Sequence, residues 1–233
     1  VEVVAYAHSL PRKRKIYLAL NTLVQERELE DAAENLIIAA EAGVDAVIVQ
    51  DLGIAKMARE RFPSLTLHAS TQLAVHNIEG ISTAHELGFS RVTLARELTM
   101  RELQEIATHS AIETEAFIHG TLCYSYSGLC LFSSVISGRS GNRGRCVYSC
   151  REAAVTPSGS VHPFSLKDMA LGTRVLDLAE IGITSLKIEG RKKSPLYVAA
   201  TVDHYRRILD GTLAPGDAAA NEARLKTIFA RPW

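Results

Sequence analysis

The sequence lacks the features that mark several large classes of protein. No window of about 18 consecutive apolar residues occurs in the 233 residues, so no membrane-spanning helix is predicted. Lys and Arg together number 26, as do Asp and Glu, and this zero net charge argues against a general polyanion binder, although a local basic patch stays compatible with it. No signal peptide is recognisable, and we therefore expect a cytoplasmic protein. The hydrophobic fraction of 47% excludes a disordered chain and suffices for one sizeable core.

Cysteine is scarce, and its four occurrences lie in one short stretch: Cys123, Cys130, Cys146 and Cys150. A disulfide-stabilised secreted domain would distribute its cysteines over the whole fold. The spacing Cys-x6-Cys-x15-Cys-x3-Cys supplies the four thiolates that a 4Fe–4S cluster needs. Zinc is the nearest alternative, but structural zinc sites usually use two short cysteine pairs and only one pair is short here. Disulfides or free thiols are the third interpretation.

Short apolar runs alternate with helical segments along most of the chain. Seven strands are predicted, at residues 16–20, 46–49, 65–68, 92–95, 112–118, 163–166 and 185–188. Such alternation is typical of an α/β protein with a parallel sheet. Residues 1–8 look helical, so we expect a TIM-type (β/α)8 barrel whose first strand precedes Val1, with residues 1–233 forming one N-terminally truncated barrel domain. An open doubly wound sheet is the alternative, which the lack of a Gly-rich phosphate-binding fingerprint weakens.

Polar and ionisable residues stand in or directly after the predicted strands. In a barrel the carboxyl ends of the strands form the active site, and an isolated buried charge would be costly. We therefore predict that these side chains converge on one pocket. The catalytic candidates are His68, Glu97, His119 and Glu189, with His68 or Glu189 as the acid or base. The binding candidates at strand ends are Asn21, Gln72, Lys187 and Arg191.

A long irregular segment, residues 120–160, follows the strand that ends near His119 and is predicted to be an insertion at the active-site mouth. Besides the cysteines it carries Arg139, Arg143 and Arg145, separated by glycine and small polar residues. Guanidinium groups in such a loop favour a phosphate or carboxylate site, although a solvated loop that offsets an anionic cluster is equally compatible. The neighbouring aromatic residues could stack on nucleobases or shield a cluster from water. They are Tyr124, Tyr126, Phe132 and Tyr148.

Four segments resemble peptidase family U32, the collagenase-like proteases of unassigned mechanism. Residues 115–133, which contain Cys123 and Cys130, resemble the family signature, and residues 67–72, 138–146 and 186–191 are similar to further family segments. The resemblance implies a barrel that normally begins with one more strand. It also implies similarity to oxygen-independent hydroxylases that act on a tRNA or rRNA pyrimidine or on a ubiquinone precursor. Such relatives carry a 4Fe–4S cluster on four cysteines, and some use prephenate as the source of the hydroxyl group.

From the residues and the resemblance together, we expect an iron–sulfur RNA hydroxylase as the leading function, with prephenate as a candidate hydroxyl donor. The four cysteines match ligand positions of such relatives, some of which take one ligand from elsewhere in the chain; in this sequence Cys150 is the only candidate for the fourth ligand. A U32 peptidase ranks second, since neither a His-Glu-x-x-His pair nor a Gly-x-Ser-x-Gly elbow occurs. A non-catalytic binding module of a larger protein ranks third. The expected partners are RNA or a small-molecule or peptide substrate, and a further C-terminal domain is compatible with these interpretations.

Overall fold

A mostly parallel sheet forms the centre of the computed structural model, which describes residues 1–191, 193–213 and 215–228. The strands are β1 Tyr17–Leu20, β2 Ala46–Val49, β3 Leu67–Ala69, β4 Arg91–Thr93, β5 Glu113–Gly120, β6 Ala154–Thr156, β7 Gly159–Val161, β8 Met169–Ala170 and β9 Ser185–Ile188. Strands β1 to β5 pair in sequence order, and β9 continues the parallel sheet beside β5. Strand β8 pairs antiparallel with β5, and β6 and β7 form a separate hairpin. The α/β class is therefore confirmed.

Helices lie between the parallel strands and on either side of the first and last of them in the described chain. They are α1 Glu2–Ser9, α2 Leu29–Ala42, α3 Leu52–Arg61, α4 Ile78–Glu86, α5 Met100–His109, α6 Phe132–Ser137, α7 Val175–Glu180, α8 Pro195–Leu209 and α9 Pro215–Ile228. Local signals set several of their ends: Asp51 caps α3 by accepting from the Ile54 amide, and Gly43 ends α2 in the left-handed conformation. No helix in the described ranges is both long and apolar enough to cross a membrane.

The two faces of the sheet differ in chemistry, because side chains alternate along each strand. One face carries fully buried aliphatic residues such as Val47, Val49 and Leu67, which join the core formed with α2 and α3. The other face carries polar and charged residues, including Arg91 and Glu115, both buried. The sheet thus packs its apolar face against helices and keeps ionisable groups on the opposite face.

The strand pairing bears on two of the sequence predictions. Within the described residues the pairing of β1 is with β2 alone, so the strands are not seen to close into a barrel. The strand predicted at residues 163–166 is wrong: these residues form a turn and an irregular segment, and the strand is β8. Pro163 has no amide to donate to a ladder. The Arg151 guanidinium binds the Ser165 hydroxyl at 2.8 Å and the Leu166 carbonyl, so these polar groups find partners outside a sheet.

Candidate active site at the carboxyl end of the sheet

A cavity of about 1140 Å³ lies where the parallel strands end. One side is formed by residues that follow strands: Asn21 after β1, Gln72 after β3, Arg96 after β4 and Glu189 after β9. The other side is formed by the insertion, and all four cysteines line it. The structure therefore brings together Asn21, Gln72, Arg143, Glu189, Arg191 and the cysteines, as the sequence predicted. It does not bring His68, Glu97, His119, Lys187, Arg139 or Arg145 into the lining.

The four cysteines are free thiols, and backbone amides point at two of them. The Phe132 amide donates to the Cys130 sulfur at 3.4 Å, and the Tyr148 amide donates to the Cys146 sulfur at 3.3 Å. In both cases the donor lies two residues after the cysteine. Amide donors of this kind stabilise thiolate ligands and tune iron–sulfur clusters. The local backbone is therefore arranged for anionic sulfur.

The four thiols lie close enough to influence one another. Burial raises the pKa of the Cys150 thiol, Arg151 lowers it, and the other three cysteines raise it further. Yet within the described residues no three His, Cys, Asp or Glu side chains converge as a single metal ion would require. Tetrahedral zinc, with Zn–S bonds of about 2.3 Å, needs sulfurs only about 3.8 Å apart. Four thiols around one cavity match the ligand number of a 4Fe–4S cluster and of a four-cysteine zinc site.

Glu97 anchors the insertion to the sheet. Its two carboxylate oxygens accept from the amide and the hydroxyl of Ser127, both at 2.6 Å. Ser127 is completely buried and adopts a left-handed φ of 40°, so these two bonds hold a backbone conformation that serine seldom adopts. The position after β4 thus connects the strand to the segment between Cys123 and Cys130. Glu97 is placed to position the cysteines, and it does not line the cavity.

Both candidate histidines are buried away from the cavity lining. The His68 ring packs edge-on against Tyr17 with centroids 4.8 Å apart, and burial, reinforced by Arg91, lowers its pKa to about 4. The His119 Nδ1 atom lies 3.0 Å from the Tyr205 hydroxyl on α8. Burial, followed by the influence of His204, lowers the His119 pKa to about 4. Both rings are therefore neutral at neutral pH.

A β-bulge explains the direction of His119. The pairing of β5 with β9 shifts register between Phe117 and His119. A bulge places two consecutive side chains on nearly the same face, which interrupts the alternation. Ile118 accordingly joins the apolar core while His119 also turns toward α8. Regular alternation would have put His119 on the polar face.

Lys187 belongs to a buried charge network on the polar face. Its ammonium lies 2.7 Å from the Glu115 carboxylate, which also accepts from the hydroxyls of Thr93 and Ser185, each at 2.8 Å. Burial works against ionisation, but Lys187 and these hydrogen bonds hold the pKa of Glu115 below its usual value. Sequence reasoning missed Glu115. The available signal was the polar residues two apart in β4, β5 and β9.

Three guanidinium groups line the cavity, and they differ in their partners. Arg143 donates to the Glu28 carboxylate at 2.6 Å, and Arg191 donates to the Gly144 carbonyl at 3.3 Å. The Arg96 guanidinium stacks over the Phe117 ring at 5.4 Å, and no acidic partner reaches it from the described residues. Sequence reasoning did not select Arg96, although it directly follows a predicted strand. Arg96 is the cavity cation best available to an anionic ligand.

The comparisons with known proteins agree with this architecture. The sequence profile of Peptidase family U32 matches residues 1–233. The chain belongs to peptidase family U32. The solved structure of the U32 peptidase Mk0906 shares the fold, with a TM-score of 0.54 at 15% sequence identity over 81% of this chain and 74% of that one.

Several curated relatives are named for RNA hydroxylation. The chain is 37% identical to the Escherichia coli (strain K12) protein named 23S rRNA 5-hydroxycytidine C2501 synthase, over 98% of this chain and 36% of that protein. It is 35% identical to the Bacillus subtilis (strain 168) tRNA hydroxylation protein P1, over 86% and 50% of the two chains. A Methanocaldococcus jannaschii relative, 36% identical over 91% of this chain and 55% of its own, is named an uncharacterized protease. The chain therefore spans roughly a third to just over half of these relatives.

Proposed function

We propose that this chain is the cluster-binding part of an RNA hydroxylase that adds a hydroxyl group to a pyrimidine of tRNA or rRNA. The observation that carries the proposal is the set of four free thiols lining one cavity at the carboxyl end of the sheet. The names of relatives covering nearly the whole chain support the reaction class. The family fold places the cavity where α/β proteins carry their chemistry.

In this proposal Cys123, Cys130, Cys146 and Cys150 hold a 4Fe–4S cluster. When bound, the cluster supplies one-electron redox chemistry beside the cavity. The amides that point at Cys130 and Cys146 favour the thiolate forms, and Glu97 keeps the insertion docked through Ser127. Glu189, whose carboxylate lies 3.6 Å from the Lys193 ammonium, is the cavity carboxylate proposed to move a proton.

The cavity cations support an organic acid as cosubstrate, with prephenate as the proposed hydroxyl donor. A guanidinium binds a carboxylate through two parallel hydrogen bonds. The Arg96 guanidinium has no acidic partner among the described residues. Arg191 would lose only its hydrogen bond to the Gly144 carbonyl on binding an anion. The Gln72 side-chain amide donates to the Asn21 carbonyl at 2.6 Å, which fixes both residues beside the site for contacts with a pyrimidine edge.

The proposal includes an eight-stranded barrel. In the described part of the chain, β1 and β9 each pair along one edge with the parallel sheet. Six parallel strands are described, so two further strands between the free edges of β1 and β9 would complete a barrel of eight parallel strands. Closure would enclose the polar face that carries Glu115 and Lys187, which explains why that face holds a compensated charge network instead of isolated charges.

Peptide hydrolysis is the second candidate, because one relative is named an uncharacterized protease. The geometry favours it less. Hydrolysis requires a base within hydrogen-bond reach of a nucleophile or of a bound water. His68 and His119 are buried outside the cavity lining, where they face Tyr17 and Tyr205.

The cluster proposal is tested by purifying the protein without oxygen and measuring visible absorption, iron and sulfide. Broad absorption with about four irons and four sulfides per chain is expected. Cys146→Ala should abolish it, whereas Val135→Ala, an 82% exposed position in the same insertion, should leave it unchanged. A colourless protein with stoichiometric zinc would refute the cluster.

The reaction is tested by incubating the iron-loaded protein with prephenate and unmodified tRNA or rRNA, followed by mass spectrometry of the nucleosides. A pyrimidine nucleoside heavier by one oxygen is expected, and Cys146→Ala should not produce it. Cleavage of gelatin that persists in Cys146→Ala and after metal removal would favour the peptidase instead. An intact fold with no bound iron and no turnover would favour a non-catalytic binding module.

A further inference from the structure

The insertion contains a long stretch without acidic residues. Between Glu115 and Glu152 the sequence has four arginines and not one Asp or Glu. Arg143 is paired with Glu28, and Arg151 is engaged with backbone carbonyls. This local positive charge is concealed by the zero net charge of the whole chain.

Two of these arginines remain for a ligand. Arg139 and Arg145 are exposed, and among the described residues neither has an acidic partner. Both flank the segment that contributes Asn142, Arg143 and Gly144 to the cavity lining. Arg139 and Arg145 therefore stand on either side of a cavity-lining segment, and their exposed guanidinium groups have no acidic partner among the described residues.

Three aromatic rings form a cluster at the cavity mouth. Phe164 packs edge-on against Tyr124 with centroids 5.1 Å apart and against Phe132 at 6.4 Å. All three line the cavity, yet Tyr124, Phe132 and Phe164 are 55%, 39% and 42% exposed. We call these three residues the aromatic rim. Mutual packing restricts the rings, so a planar ligand meets a preformed surface.

We propose that the aromatic rim and the two free arginines, Arg139 and Arg145, bind a single-stranded RNA segment and present one unpaired base to the cavity. The inference rests on the proposed RNA hydroxylation and names the surface that recognises the substrate. Aromatic side chains stack on bases that are not already stacked, and arginines bind the adjacent phosphates. Base-paired RNA keeps its bases stacked inside the helix, which excludes it from the rim.

Charge complementarity selects RNA over another occupant of these exposed rings. A second copy of this chain would bring a neutral surface with no particular excess of acidic groups. A polyanion, in contrast, matches a stretch that carries arginines and no carboxylates. Stacking and phosphate contacts are required at the same place, and single-stranded RNA supplies both.

The test uses the oxygen-free purified protein and fluorescence anisotropy with a labelled single-stranded pyrimidine-rich oligoribonucleotide of about 12 nucleotides, within the usual range of binding-site sizes. Tyr124→Ala and Phe164→Ala should each weaken binding about 5- to 150-fold, the range expected for loss of one stacked base. Tyr124→Phe keeps the ring and should bind like the unmodified protein. The same oligonucleotide in a duplex should compete poorly.

The arginines are tested by the salt dependence of the same binding. The double variant Arg139→Gln and Arg145→Gln should lower the slope of log K against log salt by about 1.4, since each phosphate contact with a single strand contributes about 0.7. The matched control is Arg12→Gln with Arg61→Gln, two exposed arginines that do not line the cavity. Removing the same charge there should leave the slope unchanged.

Iron content, measured for every variant, separates this inference from the proposed function. Weaker RNA binding by the rim variants at unchanged iron content supports the proposed binding surface. This result supports the surface even if the protein produces no hydroxylated nucleoside. Equal binding of single-stranded and duplex RNA, or full affinity in both alanine variants, would overturn it. So would a dimer in sedimentation that the alanine variants dissociate without any change in RNA affinity.

Discussion

The ion pair between Lys187 and Glu115 offers a quantitative test of the polar face of the sheet. The charged atoms lie 2.7 Å apart, which at an effective dielectric constant of about 20 corresponds to a gross attraction of about 6 kcal/mol. The Glu115 side chain is only 10% exposed, so Lys187→Met would leave a buried carboxylate without its main cation. Breaking a buried pair on one side costs about 3–5 kcal/mol. Arg91, 3.9 Å from the other carboxylate oxygen, compensates in part, so we expect about 3 kcal/mol.

Urea unfolding of a double-mutant cycle measures this quantity. The set consists of the unmodified protein, Lys187→Met, Glu115→Gln and the double variant. Because the double variant removes both charges, it should be more stable than Lys187→Met alone, with a coupling free energy of about 2 kcal/mol. Effects that add within about 0.5 kcal/mol would show that the two groups are uncoupled. Lys187 would then be free to bind an anionic substrate, and our assignment of it to the charge network would be refuted.

Three further predictions concern the buried histidines, the insertion and a glycine. Burial lowers the pKa of His68 and His119 from 6.5 to about 4, so between pH 6.5 and pH 4 the unfolded chain binds more protons than the folded one. The free energy of unfolding, measured in urea, should therefore fall as the pH falls, by about 2 kcal/mol per ring at about pH 5. His119→Gln should make this free energy depend less on pH. Glu97→Gln should accelerate amide hydrogen exchange selectively in residues 120–151 and lower the iron content, because the variant loses charge-assisted hydrogen bonds to Ser127 worth about 1.5–3 kcal/mol. Unchanged exchange would contradict the role of Glu97 in holding the insertion against the sheet. Gly120→Ala should lower the free energy of unfolding by at least about 2 kcal/mol, because the φ of Gly120 is 119° and an added Cβ would lie 2.5 Å from the Glu189 Cβ. An unchanged melting temperature would contradict this prediction.

Local sequence patterns predicted the regular elements well. Residues 46–49 form a strand with the predicted bounds, and the strands predicted around residues 16–20, 65–68, 92–95, 112–118 and 185–188 all exist. Buried strands carry continuous apolar runs, and their helices carry apolar stripes, so the signal is local. The β6–β7 hairpin was missed because its residues are mostly exposed, which leaves no apolar alternation to detect. The wrong strand at residues 163–166 was predicted from a short apolar run beside a proline. In the structure Arg151 donates to the Ser165 hydroxyl and the Leu166 carbonyl of this segment instead.

The candidate site was predictable in part. The cysteines, Gln72 and Glu189 do meet at one cavity, because carboxyl ends of parallel strands share one edge of the sheet. The direction of each side chain was not predictable. His119 follows a bulge that only strand pairing reveals.

By itself, the sequence determined the α/β class, the membership of peptidase family U32 and the concentration of four cysteines and four arginines in one insertion, since these depend on residue type and order along the chain. Only the tertiary structure decided which polar residues face the cavity and which pair with other residues inside the fold. Glu97 binds Ser127, 30 residues away, and Lys187 binds Glu115, 72 residues away. Burial and hydrogen bonding between such distant residues decide which charges are neutralised, and local patterns along the chain carry no record of these pairings.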